Sequence, residues 1–398
     1  MNEQLLADEA RYVMQTYKRA PVEFVRGEGA LLFDSEGREY IDFLGGISVT
    51  SVGHCHPAVV NAIREQSGQL QHVSNLFYTA PMVELARRLS ESSLGGKVFF
   101  CNSGTEANEC AIKIARKAAR ARGVENSEII SFEGDFHGRS YGSLSATPGL
   151  SKNPDFAPML PGFSSVPFDD AAALREAVND DTAAVLIEPI QGEAGVFPLS
   201  DETLVAAREA CDKSGALLIF DEVQTGVGRT GSLWAFEQGP VRPDVITTAK
   251  ALGGGVAVGA CIGNSQTGEI LAAGDHGSTF AGGPVAASAA LAVLDLVDDP
   301  AMLRRIRALG DRLTEGLASI EQVVEVRGRG LMIGMRLADG IVSSEVNSAL
   351  LENGLVANAP RPDSLRLLPP FVLTDEQADH AVTVIADVLA GYHPVESK

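Results

Sequence analysis

The sequence predicts an α/β protein built on a mainly parallel sheet covered by helices on both faces, joined to a smaller α+β unit. Short β-rich runs recur through the middle of the chain: KVFFC (97–101), EIISF (128–132), AAVLIEPI (183–190), ALLIFDE (216–222), DVITTA (244–249) and GVAVGACIG (255–263). Runs that stay apolar without alternating are buried on both faces, the habit of parallel strands. Helical patterns lie between several of them. After the first run, Ala107, Cys110, Ala111, Ile114, Ala115 and Ala118 fall on one stripe of an amphipathic helix opened by NSGTE. From about residue 285 the texture changes to helices with three short strands, VVEVRG, LMIGMRL and SLRLLPP, typical of an α+β unit.

The chain has 398 residues, 45% of them hydrophobic, enough for two or three domains. Residues 1–50, with ALLFDSEGREYIDFLGG as a hairpin, are expected to pack with the C-terminal part. Residues 51–284 form the large domain and 285–398 the small one. With 52 acidic against 32 basic residues, net charge -20, nucleic acid and anionic membrane are poor partners. The start, MNEQLLADEARYVM, carries acids early and lacks an apolar secretory core, so no signal peptide is expected. Two uncharged stretches, 251–268 and 277–294, are interrupted by glycine and polar residues and make poor membrane spans. Five cysteines without C-x-x-C spacing fit reduced thiols in a cytoplasm.

In such a sheet, ligands collect at the carboxyl ends of the strands. Lys250, in TTAKALGGG (247–255), is the only formal charge between Asp244 and Glu269. It is either a lysine snorkelling from a surface or a reactive amine. The turn NSGTEAN (102–108) ends a strand and starts a helix, leaving backbone N–H groups of Gly104 and Thr105 for a phosphate; Ser103 or Thr105 as a plain N-cap is the simpler reading. Asp221 ends LLIFDE. It does not belong to a P-loop ATPase, since no G-x-x-x-x-G-K-[ST] exists in the chain. GVGRTG (226–231) matches a dinucleotide loop, but it sits too far beyond the strand, and Pro240 leaves little room for the helix that should follow. Asp221 as partner of a protonated ring nitrogen is the remaining reading. His54 and His56 in GHCHP have no matching ligand cluster, and a turn before a Pro-initiated helix accounts for the motif, so no metal is expected. An amine, an acid for a pyridinium nitrogen and a phosphate cradle are what pyridoxal 5'-phosphate requires of a protein. Poverty of charge around Lys250 would keep its amine neutral by desolvation.

The ordered set NSGTEAN, FHGRS (136–140), EPIQGEAGV (188–196), DEVQTGVGRTG (221–231), TTAKALGGG and GSTFAGGP (277–284) resembles the class III pyridoxal-phosphate aminotransferases, most closely their acetylornithine branch, from about Tyr17 to about Leu373. The resemblance implies a fold type I transferase, a homodimer with shared active sites, amino-acid and oxo-acid substrates, and a place in arginine biosynthesis. It implies that Lys250 holds the cofactor and carries a proton between it and the substrate carbon, while Asp221 keeps the pyridinium protonated. Gln224, next to Glu222 and Val223, would reach the phenolic oxygen; Phe136 would stack on the ring with His137 behind it. Ser103, Gly104 and Thr105 would hold the phosphate, helped by Thr279 of the partner subunit. For substrate, Arg139 would bind a carboxylate, Ser278 and Tyr78 would touch the donor, and Arg366 would take the α-carboxylate of glutamate, masked by Glu193 at other times. Ile47, in FLGGISV, stands where ornithine δ-aminotransferases place a tyrosine, so a charged distal ammonium would be left desolvated and N²-acetylornithine preferred. Ala194, Ala281 and Gly283 depart from the family pattern and are expected to alter loop packing and interface contacts rather than the chemistry.

Overall fold

In the computed structural model, which describes residues 2–150 and 153–392, an N-terminal helix (Glu3–Tyr12) is followed by an antiparallel meander of β1 (Phe24–Glu28), β2 (Leu31–Asp34) and β3 (Glu39–Asp42). Its β2–β3 turn is fastened by Asp34, whose carboxylate accepts from the N–H groups of Glu36 and Arg38. The central strands follow: β4 (Gly95–Cys101), β5 (Glu128–Phe132), β6 (Phe163–Val166) and β7 (Thr182–Ile187). After a two-residue ribbon of β8 (Ile190–Gln191) and β9 (Phe197–Pro198) come β10 (Leu217–Asp221), β11 (Val245–Thr248) and β12 (Gly259–Asn264). Seven of these form one sheet in the order β4-β12-β11-β10-β7-β5-β6.

All pairs in that sheet are parallel except the two made by β12, which runs against both β11 and β4. The link from β11 to β12 contains only a short 3-10 turn, Lys250–Gly253, too little chain for the helical crossover that a parallel neighbour needs. The GVAVGACIG run is therefore half turn and half strand, beginning as a strand at Gly259. Likewise the 183–190 run ends as a strand at Ile187. β6, FSSV, has too few apolar residues to announce itself in the sequence.

The helix Gly104–Ala121 buries Ala107, Cys110, Ala111, Ile114 and Ala115, as the stripe predicts, but Ala118 is only partly covered and Ala119 is buried in its stead; Asn108 and Ile112 also join the buried face. In the C-terminal part, β13 (Val323–Arg329), β14 (Met332–Leu337), β16 (Asn358–Arg361) and β17 (Ser364–Leu367) form an antiparallel sheet in the order β13-β14-β17-β16. Between them, β15 (Leu355–Val356) leaves this sheet and pairs in parallel with β3, which ties the N-terminal meander to the C-terminal part. The helix Pro284–Val297 packs on the helices Pro57–Ser67 and Ala80–Glu91. Among the described residues, no helix is long and apolar enough to cross a membrane.

After β3 the chain makes a left-handed turn, with φ of 57° at Gly45, 61° at Gly46, 64° at Ile47 and 63° at Ser48. Glycine adopts this freely, but an L-residue with a Cβ is disfavoured there by roughly 1–2 kcal/mol. Asp42 opens the turn by accepting from the N–H groups of Leu44 and Gly45, both at 2.9 Å. The other oxygen of Asp42 meets His54 Nε2 at 2.7 Å, and His56 caps the helix Pro57–Ser67. The two histidines of GHCHP thus have structural partners.

Candidate active site

A cleft of about 420 Å³ opens at the carboxyl ends of β10 and β11, against the N-terminus of the helix Gly104–Ala121. Ser103, Gly104, Thr105, Phe136, His137, Arg139, Asp221, Val223, Gln224 and Lys250 all line it. The sequence motifs that carry these residues are far apart in the chain, and the sheet topology brings them to one place.

Ser103 caps the helix through its hydroxyl, which accepts from the N–H of Glu106. That leaves the N–H groups of Gly104 and Thr105 at the positive end of the helix with no acceptor from the described residues, a ready anion site. Gly104 packs so tightly that a Cβ would lie 2.6 Å from Val223 Cγ1. Gly138 has φ of +136°, and a Cβ on it would meet Thr105 Oγ1 at 2.3 Å. Thr105 Oγ1 in turn accepts from the N–H groups of Arg139 and Ser140, which fixes the wall carrying Phe136 and Arg139.

Asp221 is 3% exposed at the end of β10. Its Oδ2 accepts from Asn108 Nδ2 at 2.7 Å and meets His137 Nδ1 at 2.9 Å; its Oδ1 accepts from the Val223 N–H at 3.0 Å. His137 is buried between Asp221 and Asp135, whose Oδ2 lies 3.6 Å from Nε2, an ion-pair distance and not a hydrogen bond. Burial opposes the charged ring, but the two carboxylates outweigh it and push the imidazole up to about 10. A cationic His137 holds Asp221 in place and in charge. Glu188, also on the cleft, accepts from the N–H groups of Phe136 and Gly192; burial first, and then the charges of Asp135 and Asp221, push its carboxyl up to about 8.

Lys250 follows β11 directly, with φ of 42°. Burial lowers its pKa; Glu193 opposes the shift and Arg366 reinforces it. That combination favours an uncharged amine. Beside the cleft, β17 delivers Arg366, fully buried, whose guanidinium forks onto Glu193 at 2.6 and 3.3 Å and also donates to Asn358 and Gln224. Burial works against ionisation of Glu193, but Arg366 prevails and holds its carboxyl below the usual range. Arg139 lies at the mouth, its guanidinium 5.3 Å from the Phe136 ring centroid.

Other expected site residues lie elsewhere on this chain. Glu222 is fully buried and turned away, its carboxylate accepting from the N–H groups of Ala235 and Phe236 at 2.6 and 2.9 Å. A site role for it toward a bound group has no geometric support, because those amides already claim both oxygens. Tyr78 is 95% exposed and Thr279 is exposed, and neither lines this cleft. Ser278 stands at the rim, where its hydroxyl accepts from Asn102. Asn75 joins these loops by donating to the carbonyls of Ser278 and Ala281. Ile47 packs with Ile190, Val196, Met332 and Leu368, next to Val49, which does line the cleft. Asn108, Asp135 and Glu188 were not foreseen as site groups. Asn108 had a signal: it is a polar residue on the buried stripe of its helix.

The arrangement fits pyridoxal phosphate on three independent grounds: amide donors with no acceptor at a helix N-terminus, glycines where a Cβ would fill the cradle, and a buried carboxylate fixed to face the cleft.

A family model described as aminotransferase class-III matches residues 12–389. The acetylornithine aminotransferase of Caldanaerobacter subterraneus subsp. tengcongensis is 44% identical over 391 residues, 97% of this chain and 99% of that protein. That of Methanopyrus kandleri is 46% identical over 382 residues, 95% of this chain and 97% of that protein. Among solved structures, the ornithine aminotransferase of Toxoplasma gondii superposes with a TM-score of 0.92 at 35% identity, covering 98% of this chain and 94% of that one. The acetylornithine aminotransferase of Elizabethkingia anophelis superposes with a TM-score of 0.88 at 37% identity, covering 98% and 99%.

Proposed function

The chain belongs to the class III aminotransferases, which depend on pyridoxal phosphate, and from that premise we propose that it moves the δ-amino group of N²-acetylornithine to 2-oxoglutarate. The products are N-acetylglutamate 5-semialdehyde and glutamate, a step of arginine biosynthesis in the cytoplasm. The observation that carries the reading is the fork of the buried Arg366 onto the partly exposed Glu193 beside the cleft. An enzyme that takes an amine far from a carboxylate in one half-reaction and next to one in the other needs a cation it can cover and uncover. Names of the relatives at 44% and 46% identity support the acetylated donor.

When bound, pyridoxal phosphate supplies an electrophilic carbon for the amine and an electron sink for the pair left as the substrate carbon loses its proton. Gly104 and Thr105 hold its phosphate through their N–H groups. Asp221, braced by His137 and Asn108, keeps negative charge against the ring nitrogen. Lys250 would anchor the group and, as a free amine once the substrate amine has taken its place, would take the proton from the substrate carbon bearing the amine and give it back on the far side of the nitrogen. With acetylornithine in the cleft, Glu193 covers Arg366 and Arg139 takes the distant carboxylate. With 2-oxoglutarate, Glu193 moves aside and Arg366 forks onto the carboxylate next to the reacting carbon.

Ile47 and its apolar neighbours offer nothing to a free ammonium. The value of kcat/KM for N²-acetylornithine is therefore expected to exceed that for ornithine by roughly tenfold or more, since an unpaired polar group costs about 1–3 kcal/mol. Steady-state kinetics with both donors checks this, and equal values would remove the basis for the preference.

A homodimer with shared sites completes the reading. Leu76, Phe77, Tyr78 and Phe280 are exposed apolar side chains on the loops that Asn75 joins, beside Ser278 and Thr279. Covered by a second subunit, they would bring Tyr78, Ser278 and Thr279 to the partner's cleft. Mixing the inactive variants Lys250→Ala and Thr279→Ala under subunit exchange is expected to restore activity, because one of the hybrid sites carries both native residues. Proven exchange without any recovery counts against sharing.

A further inference from the structure

Arg229 is fully buried, and none of its partners is a carboxylate. Nε donates to Ser48 Oγ at 2.9 Å and Nη2 to Ser51 Oγ at 2.7 Å; Nη1 donates to the carbonyls of Leu331 at 2.9 Å and Pro369 at 2.7 Å. The guanidinium carbon also lies 4.8 Å from the centroid of the Phe371 ring. Burial pushes its pKa down to about 9, with Asp42 resisting, so it stays cationic near neutrality. A buried cation satisfied only by hydroxyls and carbonyls is costly, and such groups persist where they fix one arrangement out of several.

What it fixes is the left-handed turn. Ile47 and Ser48 hold φ of 64° and 63°, a conformation that their own Cβ atoms oppose. Two of the four bonds of Arg229 go to Ser48 and Ser51, at the exit of that turn, and between them Val49 contributes to the cleft wall. The other two bonds go to the β13–β14 connection and to Pro369, three residues beyond Arg366. Arg229 itself lies eight residues beyond Asp221, and its carbonyl accepts from the Leu331 N–H at 3.0 Å. Strained backbone held by over-determined contacts is a recurrent feature of functional sites.

We propose that Arg229 is a positioning residue for the amino donor: it holds the left-handed turn 45–48 against its own preference, so that the segment 47–49 forms the donor side of the cleft in register with Arg366. The proposal rests on the reading that this cleft takes an amino donor. A relaxed turn would leave Asp221 in place at the end of β10 and Lys250 tethered just past the end of β11, and would spoil donor binding first.

The test uses Arg229→Lys, which keeps the charge but cannot reach four acceptors, and Ser48→Ala with Ser51→Ala, which removes only the two turn-side bonds and keeps the variant folded if the lysine variant is not. In either, the donor KM should rise by about tenfold or more, with kcat at saturating donor changed by less than about threefold and the visible absorbance of bound cofactor unchanged. A crystal structure of the same variant should show Ile47 and Ser48 outside the left-handed region. Adding Ser48→Gly to Arg229→Lys should recover part of the donor KM, because glycine needs no clamp to stay in the turn. A variant structure that keeps φ near 60° at Ile47 and Ser48 overturns the proposal whatever the kinetics, as does a donor KM that stays at the native value. Wild-type protein without transaminase turnover would instead refute the reading beneath it, and the variant structure would still decide whether Arg229 holds the turn.

Discussion

Lys250→Ala is expected to lower transaminase turnover by roughly 10⁵-fold or more, the scale on which removal of a covalent catalytic side chain is felt. The lysine follows β11 at the cleft, and among the described residues the site offers no second amine, Arg366 and Arg139 carrying guanidiniums instead. The fold should survive, since among the described residues Lys250 is bonded to nothing that holds an element together, and the substitution removes a buried amine whose charged form burial disfavours. Turnover, the visible absorbance of the bound cofactor and the thermal midpoint, measured together, check this. A folded variant that transaminates near the native rate would displace Lys250 from its role.

Asp221→Asn is expected to cost about 3 kcal/mol or more of transition-state stabilisation, roughly a hundredfold in rate. The carboxylate has three donors aimed at it, from Asn108, His137 and Val223. An amide in its place turns an N–H₂ toward one of them, so the substitution loses both the charge and part of the brace. The free N–H groups of Gly104 and Thr105 at the helix N-terminus are untouched, and cofactor affinity should fall far less than the rate of a single turnover. Rapid-mixing measurement of that turnover separates the two. An unchanged single-turnover rate would refute pairing of Asp221 with the ring nitrogen.

The carboxyl-end location of the site was legible because its residues interrupt apolar strands: Asp221 ends LLIFD, Lys250 follows VITTA, and the 102–108 turn follows KVFFC. Strand direction was less so. Periodicity says nothing about which way β12 runs, and only the shortness of its link to β11 forbids a parallel pairing. The Arg366–Glu193 fork spans 173 positions of sequence and came into view through family resemblance, since no local pattern joins β17 to the turn after β8. Arg229 was hidden for another reason. Its motif, GVGRTG, reads as a glycine-rich loop, and a sequence does not reveal that an arginine without acidic neighbours will be taken inside and satisfied by four oxygens from three distant segments.

The carboxylate–imidazole–carboxylate stack of Asp135, His137 and Asp221 insulates the site from its surroundings. A histidine in water changes charge near pH 6.5, in the middle of the range a cell's interior visits; here the change is displaced to about 10. Because the folded value is above the unfolded one, the stability this ring contributes is fully present below about pH 6.5 and is lost as pH climbs through about 10. Between mild acidity and pH 9 the charge on His137 therefore stays constant, and the pH profile of turnover should report Glu188, whose carboxyl is pushed up to about 8, together with the lysine and the incoming amine. Comparing that profile for wild type and His137→Gln checks it: the variant should acquire a dependence that the native protein lacks. Two acids, each unfavourable to bury, together make a histidine behave as a permanent cation.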